Sequence, residues 1–137
     1  MNGYLSVISL LRADGQVGLL IGGSGVATAR VYPGDAPQGA TYPHVCVETF
    51  DVEVFDSKDG VSVVEHEMVK VMYMSESEST LYDLAERGRD ALDGQSGTIN
   101  GRVVDYIRYM GFSTYDVNVT NKRIRVHEQD YQVRVRN

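Results

Sequence analysis

The chain has 137 residues, a formal net charge of −6, 42% hydrophobic residues and a single cysteine. That is the size of one ordinary domain, so residues 1–137 are expected to form one, with enough apolar side chains to build a core. One cysteine excludes an internal disulfide framework and a cysteine-based metal cluster, and it fits a reducing compartment. No apolar run approaches the ~20 residues of a membrane helix. The start, Met1-Asn2-Gly3-Tyr4, lacks the basic and apolar regions of a secretory signal. Charge is unevenly spread. Residues 1–100 hold 15 acids and 6 bases, whereas residues 101–137 hold 4 acids and 7 bases. An acidic body argues against general nucleic-acid binding, which needs clustered Lys and Arg at the phosphates. The basic C-terminal stretch reads as a solvated strand face.

Taken in order, Gly3 to Arg12 carries Leu5, Ile8, Leu10 and Leu11 among polar residues and predicts a short amphipathic helix. Asp14-Gly15 ends it. Val17 to Ile21 is short and apolar, a helical turn or a buried loop, and Gly22-Gly23-Ser24-Gly25 reads as flexible. Pro33, Pro37 and Pro43 fall close together and mark an extended connection, because proline removes a donor and biases its predecessor away from helix. His44 to Phe55 reads as a strand. Val45 and Val47 share one face and Phe50, Val52 and Val54 the other, so a bulge or bend is expected near Thr49. Asp56 to Gly60 forms a turn, and Val63 to Met74 a second strand, making residues 44–74 a long β-hairpin.

Polarity then switches to Ser75-Glu76-Ser77-Glu78-Ser79. Ser75 with Glu78 has the form of a capping box. Leu81, Leu84, Ala85, Gly88, Ala91 and Leu92 follow at helical spacing, and Gly94 can end the helix. Arg102 to Phe112 is β-rich. Ser113 to Lys122 is polar and expected to be a mobile loop. A last strand begins near Ile124, with Tyr131, Val133 and Val135 on one face and Gln132, Arg134 and Arg136 on the other. The expected fold is an α+β domain: a mainly antiparallel sheet of about four strands packed with two helices, with a long β-hairpin.

No catalytic, cofactor or metal constellation emerges. Gly22 to Gly25 lacks the Gly-Lys-Ser/Thr ending of a phosphate loop, and Ser24 and Ser96 complete no nucleophile elbow. His44, His66 and His127 are far apart and show no metal-ligand spacing. Asp56, Asp59 and Gly60 sit in a loop too short for calcium, with Lys58 at a ligand position. Cys46 lies in an apolar strand and reads as an inert buried thiol. Nine tyrosines and five methionines lean towards a chain that packs against other subunits.

Four stretches carry a family resemblance. They are the helix and apolar segment Tyr4 to Ile21; Arg30-Val31-Tyr32-Pro33 with Ala36-Pro37-Gln38-Gly39-Ala40 and Tyr42-Pro43-His44-Val45; the strand leading into Ser75 and the helix Leu81 to Leu92; and a late hairpin ending in Gln132-Val133-Arg134-Val135. Together they resemble the tail-completion (tail-terminator) proteins of long-tailed bacteriophages and gene transfer agents. Two positions depart from that pattern. Thr80 stands where alanine is common, and Gly88 interrupts the helix, where glycine costs ~1 kcal/mol against alanine.

The resemblance implies a non-enzymatic virion protein, with no cofactor, at the head-proximal end of the tail and assembled in the host cytoplasm. It implies a homo-hexameric ring that stops tube polymerisation and joins the tail to the head, with the tail tube protein and the head connector as partners. DNA passes through such a ring without specific binding. On this reading Phe50, Val52, Val54, Phe55, Val61, Val63, Tyr115, Val117 and Val119, in the projecting stretches 44–74 and 113–125, make subunit or tube contacts. Glu48, Asp51, Glu53, Glu65 and Glu67 are expected to line the pore and repel phosphate. Two alternatives stay open: another head–tail joining or tube component, and a small ligand-binding domain or enzyme whose polar groups come from distant positions.

Overall fold

A computed structural model describes residues 2–22, 30–56 and 63–136. The chain forms α1 (Gly3–Ala13), α2 (Gly15–Gly18), β1 (Val31–Pro33), β2 (His44–Asp56), β3 (Val63–Ser75), α3 (Glu78–Leu92), β4 (Gly97–Ile99), β5 (Arg102–Val119) and β6 (Lys122–Arg136). The strands make one sheet in the order β1-β2-β3-β6-β5-β4. Every pairing is antiparallel except the short parallel contact of β1 with β2. The α+β class and the main element order agree with the sequence. The sheet has six strands rather than about four, and there are three helices rather than two. The extra elements are only three or four residues long, too short for a hydrophobic period to show.

Both longer helices lie on one face of the sheet, the covered face. Alternation along β3 sets that face, with Val69, Val71 and Tyr73 fully buried. Val45 and Val47 of β2 and Tyr131, Val133 and Val135 of β6 complete the layer. Leu81, Leu84, Ala85, Gly88 and Leu92 of α3 and Val7, Ile8 and Leu11 of α1 press on it. Burial of each such Leu or Val contributes about 1.5–3 kcal/mol.

The bulge expected near Thr49 is present, between Thr49 and Asp51, with Phe50 as the extra residue. It has a consequence opposite to the predicted parity. Directly paired residues share a sheet face. Val52 pairs with Glu67 and Val54 with Glu65, so both return to the covered side with Val45 and Val47. Phe50 stays on the other, open face, where Lys70 Nζ sits 5.0 Å from its ring centroid.

Ser113 to Lys122 is not a loop. β5 continues to Val119, and a two-residue turn at Thr120 and Asn121, both at positive φ, returns the chain into β6. That is the geometry of the tightest hairpin turn, for which asparagine is well suited. Exposed ion pairs tie this hairpin to the start of α3, Lys122 to Glu76 at 3.2 Å and Arg125 to Glu78 at 3.0 Å.

The helix start also shifts. Ser77, not Ser75, is the N-cap of α3, and its Oγ accepts from Thr80 N. Ser75 still belongs to β3, paired with Arg125, and its Oγ accepts from Ser77 N at 3.1 Å. Strand pairing therefore decides which of three alternating serines begins the helix. The proline segment closes on itself through backbone carbonyls. Arg30 Nε donates to Pro43 O at 2.9 Å, and His44 Nδ1 contacts Thr41 O at 3.2 Å, with Tyr42 stacked on the His44 ring. The Tyr42-Pro43 bond is cis.

Gly88 has a steric reason. A Cβ there would overlap the Tyr73 hydroxyl and ring, so α3 crosses β3 only because position 88 has no side chain. Gly88→Ala gains about 1 kcal/mol of helix propensity but overpacks a fully buried tyrosine, which costs typically ~1–3 kcal/mol. The expected net result is a lower urea midpoint, partly restored by adding Tyr73→Leu. An unchanged or higher midpoint for Gly88→Ala would remove the close-contact explanation.

Candidate functional site

Among the described residues no group of three or more His, Cys, Asp or Glu side chains could hold a metal ion. The histidines are separated by the fold. His44 sits under the proline segment. His66 lies on the open face between Phe55 and Tyr106, with ring centroids 4.7 and 6.2 Å away. His127 is on the covered side, stacked on Phe112 at 4.8 Å.

One cavity of about 440 Å³ gathers Asp35, Tyr42, His44 and Cys46 with Met74 and the hairpin tip at Val119 and Thr120. Its electrostatics oppose nucleophilic chemistry. Burial pushes the Cys46 thiol up to about 11, whereas an activated thiolate needs a lowered value. Burial also lowers the His44 pKa, so the imidazolium that would stabilise a thiolate is disfavoured. The lining does show how the sheet curls, because it brings the tip of β5–β6 towards the start of β2 on the open face.

The second feature is a groove of about 670 Å³ along β2, where β1 stops. Pro33 and Gly34 form one end, Asn2 and Tyr4 at the start of α1 flank it, and Val47 to Val52 make its wall. β1 pairs only with Val45 to Val47. From Glu48 onwards, β2 is paired with β3 on one side, and no strand among the described residues lies on its other side.

The opposite edge has the same form. β4 pairs with Arg102 to Val104. The chain after α3 then exchanges backbone hydrogen bonds with Ile107, from Gly94 N at 2.8 Å and to Gln95 O at 3.0 Å, and Asp93 Oδ1 accepts from Tyr109 N at 3.1 Å. Beyond Tyr109, β5 has a strand on one side only among the described residues.

The sequence-predicted contact residues fall into two groups on these two edges rather than one surface. Phe50, Val54 and Phe55 are 47%, 52% and 44% exposed on β2, and Val52 lines the groove. Val63 begins β3 opposite Asp56, and Val61 lies outside the described residues. Tyr115, Val117 and Val119 are exposed on the outer half of β5. Their partners Val126, Ile124 and Lys122 place them on the open face.

The five acids do not share a face. Glu48, Asp51 and Glu53 pair with Lys70, Met68 and His66 on the open side, whereas Glu65 and Glu67 point to the helices. Glu67 in particular is not a pore residue. It is fully buried, and its Oε2 accepts from Tyr4 N at 2.9 Å and Thr49 Oγ1 at 3.3 Å. Asn2 makes no side-chain cap, so a strand carboxylate caps α1 where the helix dipole favours negative charge. Gly3 leaves room for it, since a Cβ there would lie 2.5 Å from Oε2. Glu65, 9% exposed, is also withdrawn from the solvent-facing set.

Sequence reasoning missed Met110, 51% exposed, and Phe112, 60% exposed and stacked on His127, whose ring also meets Tyr82. Two further bulges, at Asp105 and Met110, hide the alternation of β5.

Most of the exposed large apolar residues of this small α+β domain lie on two long strands, β2 and β5, which suits packing against other chains. Residues 6–136 match the family described as Tail completion protein gp17, and the chain belongs to that family. It is thus a phage-type tail completion protein. The fold is similar to that of a chain from the virion of a native gene transfer agent particle. That comparison has a TM-score of 0.66 and 21% identity, covering 99% of this chain and 97% of the other. No curated protein matches.

Two outcomes follow from the buried groups. Glu67→Ala removes the cap and leaves α1 donors unsatisfied, which costs about 1–3 kcal/mol. A urea titration should show that loss, and an unchanged midpoint would refute the capping role. At pH 8 the native Cys46 thiol should react with a disulfide reagent on the order of 100-fold more slowly than in the urea-unfolded chain, because its thiolate fraction is far smaller. Equal rates would contradict the burial.

Proposed function

We propose that this tail completion protein forms a homo-hexameric ring on the head-proximal end of the tail tube. The ring ends tube polymerisation and presents a surface to the head connector. It is assembled in the host cytoplasm and remains in the virion. The family membership supports the tail role. The observation that carries the ring is the pair of uncovered strand edges at opposite ends of one sheet. Such edges are ready templates for pairing, and repeated head-to-tail contacts that close give rings.

On this reading Glu48, Asp51 and Glu53, together on the open face, form the acidic surface nearest the passing DNA, where like charge keeps phosphate from sticking. The stretches 44–74 and 113–125 contact neighbouring subunits or the tube protein.

The test is a host making particles without this chain. Tails of uncontrolled length and heads left unjoined are expected, with both defects reversed by supplying the protein in trans. Negative-stain images of wild-type tails should show a six-fold ring at the head-proximal end. Tubes of normal length that nevertheless fail to join heads would move the protein to a head-side joining role. The absence of any tube would make it a tube component.

A further inference from the structure

The partner that the two open edges fit is a second copy of this chain. We infer that the free length of β2, Glu48–Asp56, pairs in antiparallel fashion with the free length of β5, Met110–Val119, of the next copy. This deepens the ring reading above and rests on it.

Direction supports the match. β2, β3, β6 and β5 are joined by three successive antiparallel pairings, so β2 and β5 run in opposite senses. Two copies in the same orientation therefore bring β2 and β5 together antiparallel, and the alternation continues from copy to copy.

Charge selects this pairing over like-with-like. The free length of β2 holds four acids, Glu48, Asp51, Glu53 and Asp56, and no base. Two such edges side by side would set like charges opposite each other, which destabilises a pair. The free length of β5 holds a single acid, Asp116, and that carboxylate is paired within the chain with Arg123 and Arg125, so β5 sets no row of like charges against the acidic edge of the next copy.

Neither edge carries the usual guards. No proline and no lysine occur in Glu48–Asp56 or in Met110–Val119, and both residue types commonly protect solvent-facing edges. Instead each edge presents apolar side chains, Phe50, Val54 and Phe55 on one and Tyr115, Val117 and Val119 on the other.

The covered parts fix where the copies meet. β1 occupies the start of β2, and β4 with the segment 93–95 occupies β5 through Tyr109. Through the ladder, Val52 lies level with Ile107. The free length of β5 lies further along. Matching the two free lengths therefore staggers neighbouring copies by about seven residues, roughly 20 Å at ~3.3 Å per residue. A stagger of this kind is what a closed sheet requires, because its strands must tilt to meet.

The experiment uses assembled tails. Glu53→Cys and Ser113→Cys are made singly and together, because both positions lie on the open face near the middle of the matched lengths. Purified tails are treated with a short bismaleimide and run on a denaturing gel. The double variant should give a ladder of multimers. Each single variant, and the wild type with only buried Cys46, should remain monomeric. Cross-linking of a single variant would show like-edge pairing and overturn the inference, as would a double variant present in tails but uncross-linked.

Hydrogen exchange on the wild type needs no substitution. Those amides of 48–56 and 110–119 that point to the free edge, about every second one, should slow at least tenfold in tails relative to the free chain. Unchanged exchange would refute the pairing while leaving a tail role intact. Wild-type chain missing from purified tails would overturn the ring reading itself, and the pairing with it.

Discussion

The covered face of β3 is the constraint on which the rest of the fold depends. One row of alternate residues on that strand does two jobs. Tyr73 fills the space beneath α3, and the helix accommodates it with a glycine at its closest approach. Six residues earlier, Glu67 reaches the start of α1 and accepts a backbone donor there. Between them Val69 and Val71 are wholly buried. Both helices are therefore registered against a single strand, and through it against each other. Gln129 on the neighbouring β6 adds a second tie, donating to Ala85 O at 3.1 Å while accepting from Tyr131 Oη at 2.6 Å. These buried polar contacts are worth more as geometry than as energy, because their net contributions are small while their loss strands a buried group.

Much of this was legible from the chain itself. Alternation in β6 and the 3.6-residue stripe in α3 both depend on a one-sided core, and both stand where they were expected. The elements that escaped are the ones without a period. β1 and β4 contain strand-favouring residues, Val31 and Tyr32 in one and Thr98 and Ile99 in the other, but three residues are too few to show an alternation, and a neighbouring ladder completes them. Bulges did the most damage. Each one reverses which residues face the core, so an alternation counted straight through Thr49 puts Val52 and Val54 on the wrong side, and the shifts at Asp105 and Met110 break the pattern of β5. The polar composition of Ser113 to Lys122 reads as a loop, yet strand pairing with β6 outweighs it.

The candidate surfaces were partly legible for a related reason. Apolar residues at 50–55 and 115–119 could be singled out because they lie in stretches expected to project; Phe50, Val54, Phe55, Tyr115, Val117 and Val119 are exposed, whereas Val52 is half-buried. The acids could not be sorted in the same way. Glu48 and Glu67 look alike in sequence, but one lies beside Lys70 on the open face and the other is enclosed beneath a helix. A carboxylate serving a distant helix start leaves no local signature, since the residues it serves lie more than sixty positions away.

The bulges also have a mechanical meaning for the sheet as a whole. All three extra residues, Phe50, Asp105 and Met110, belong to β2 and β5, while the inner pair β3 and β6 runs without interruption. The flanking strands are therefore longer in contour than the strands they enclose. A sheet with excess length at its margins and none at its centre cannot lie flat. It relieves the mismatch by bending, much as a ribbon with stretched borders does, and each bulge adds local twist of its own. The curvature of this domain is thus written as three inserted residues.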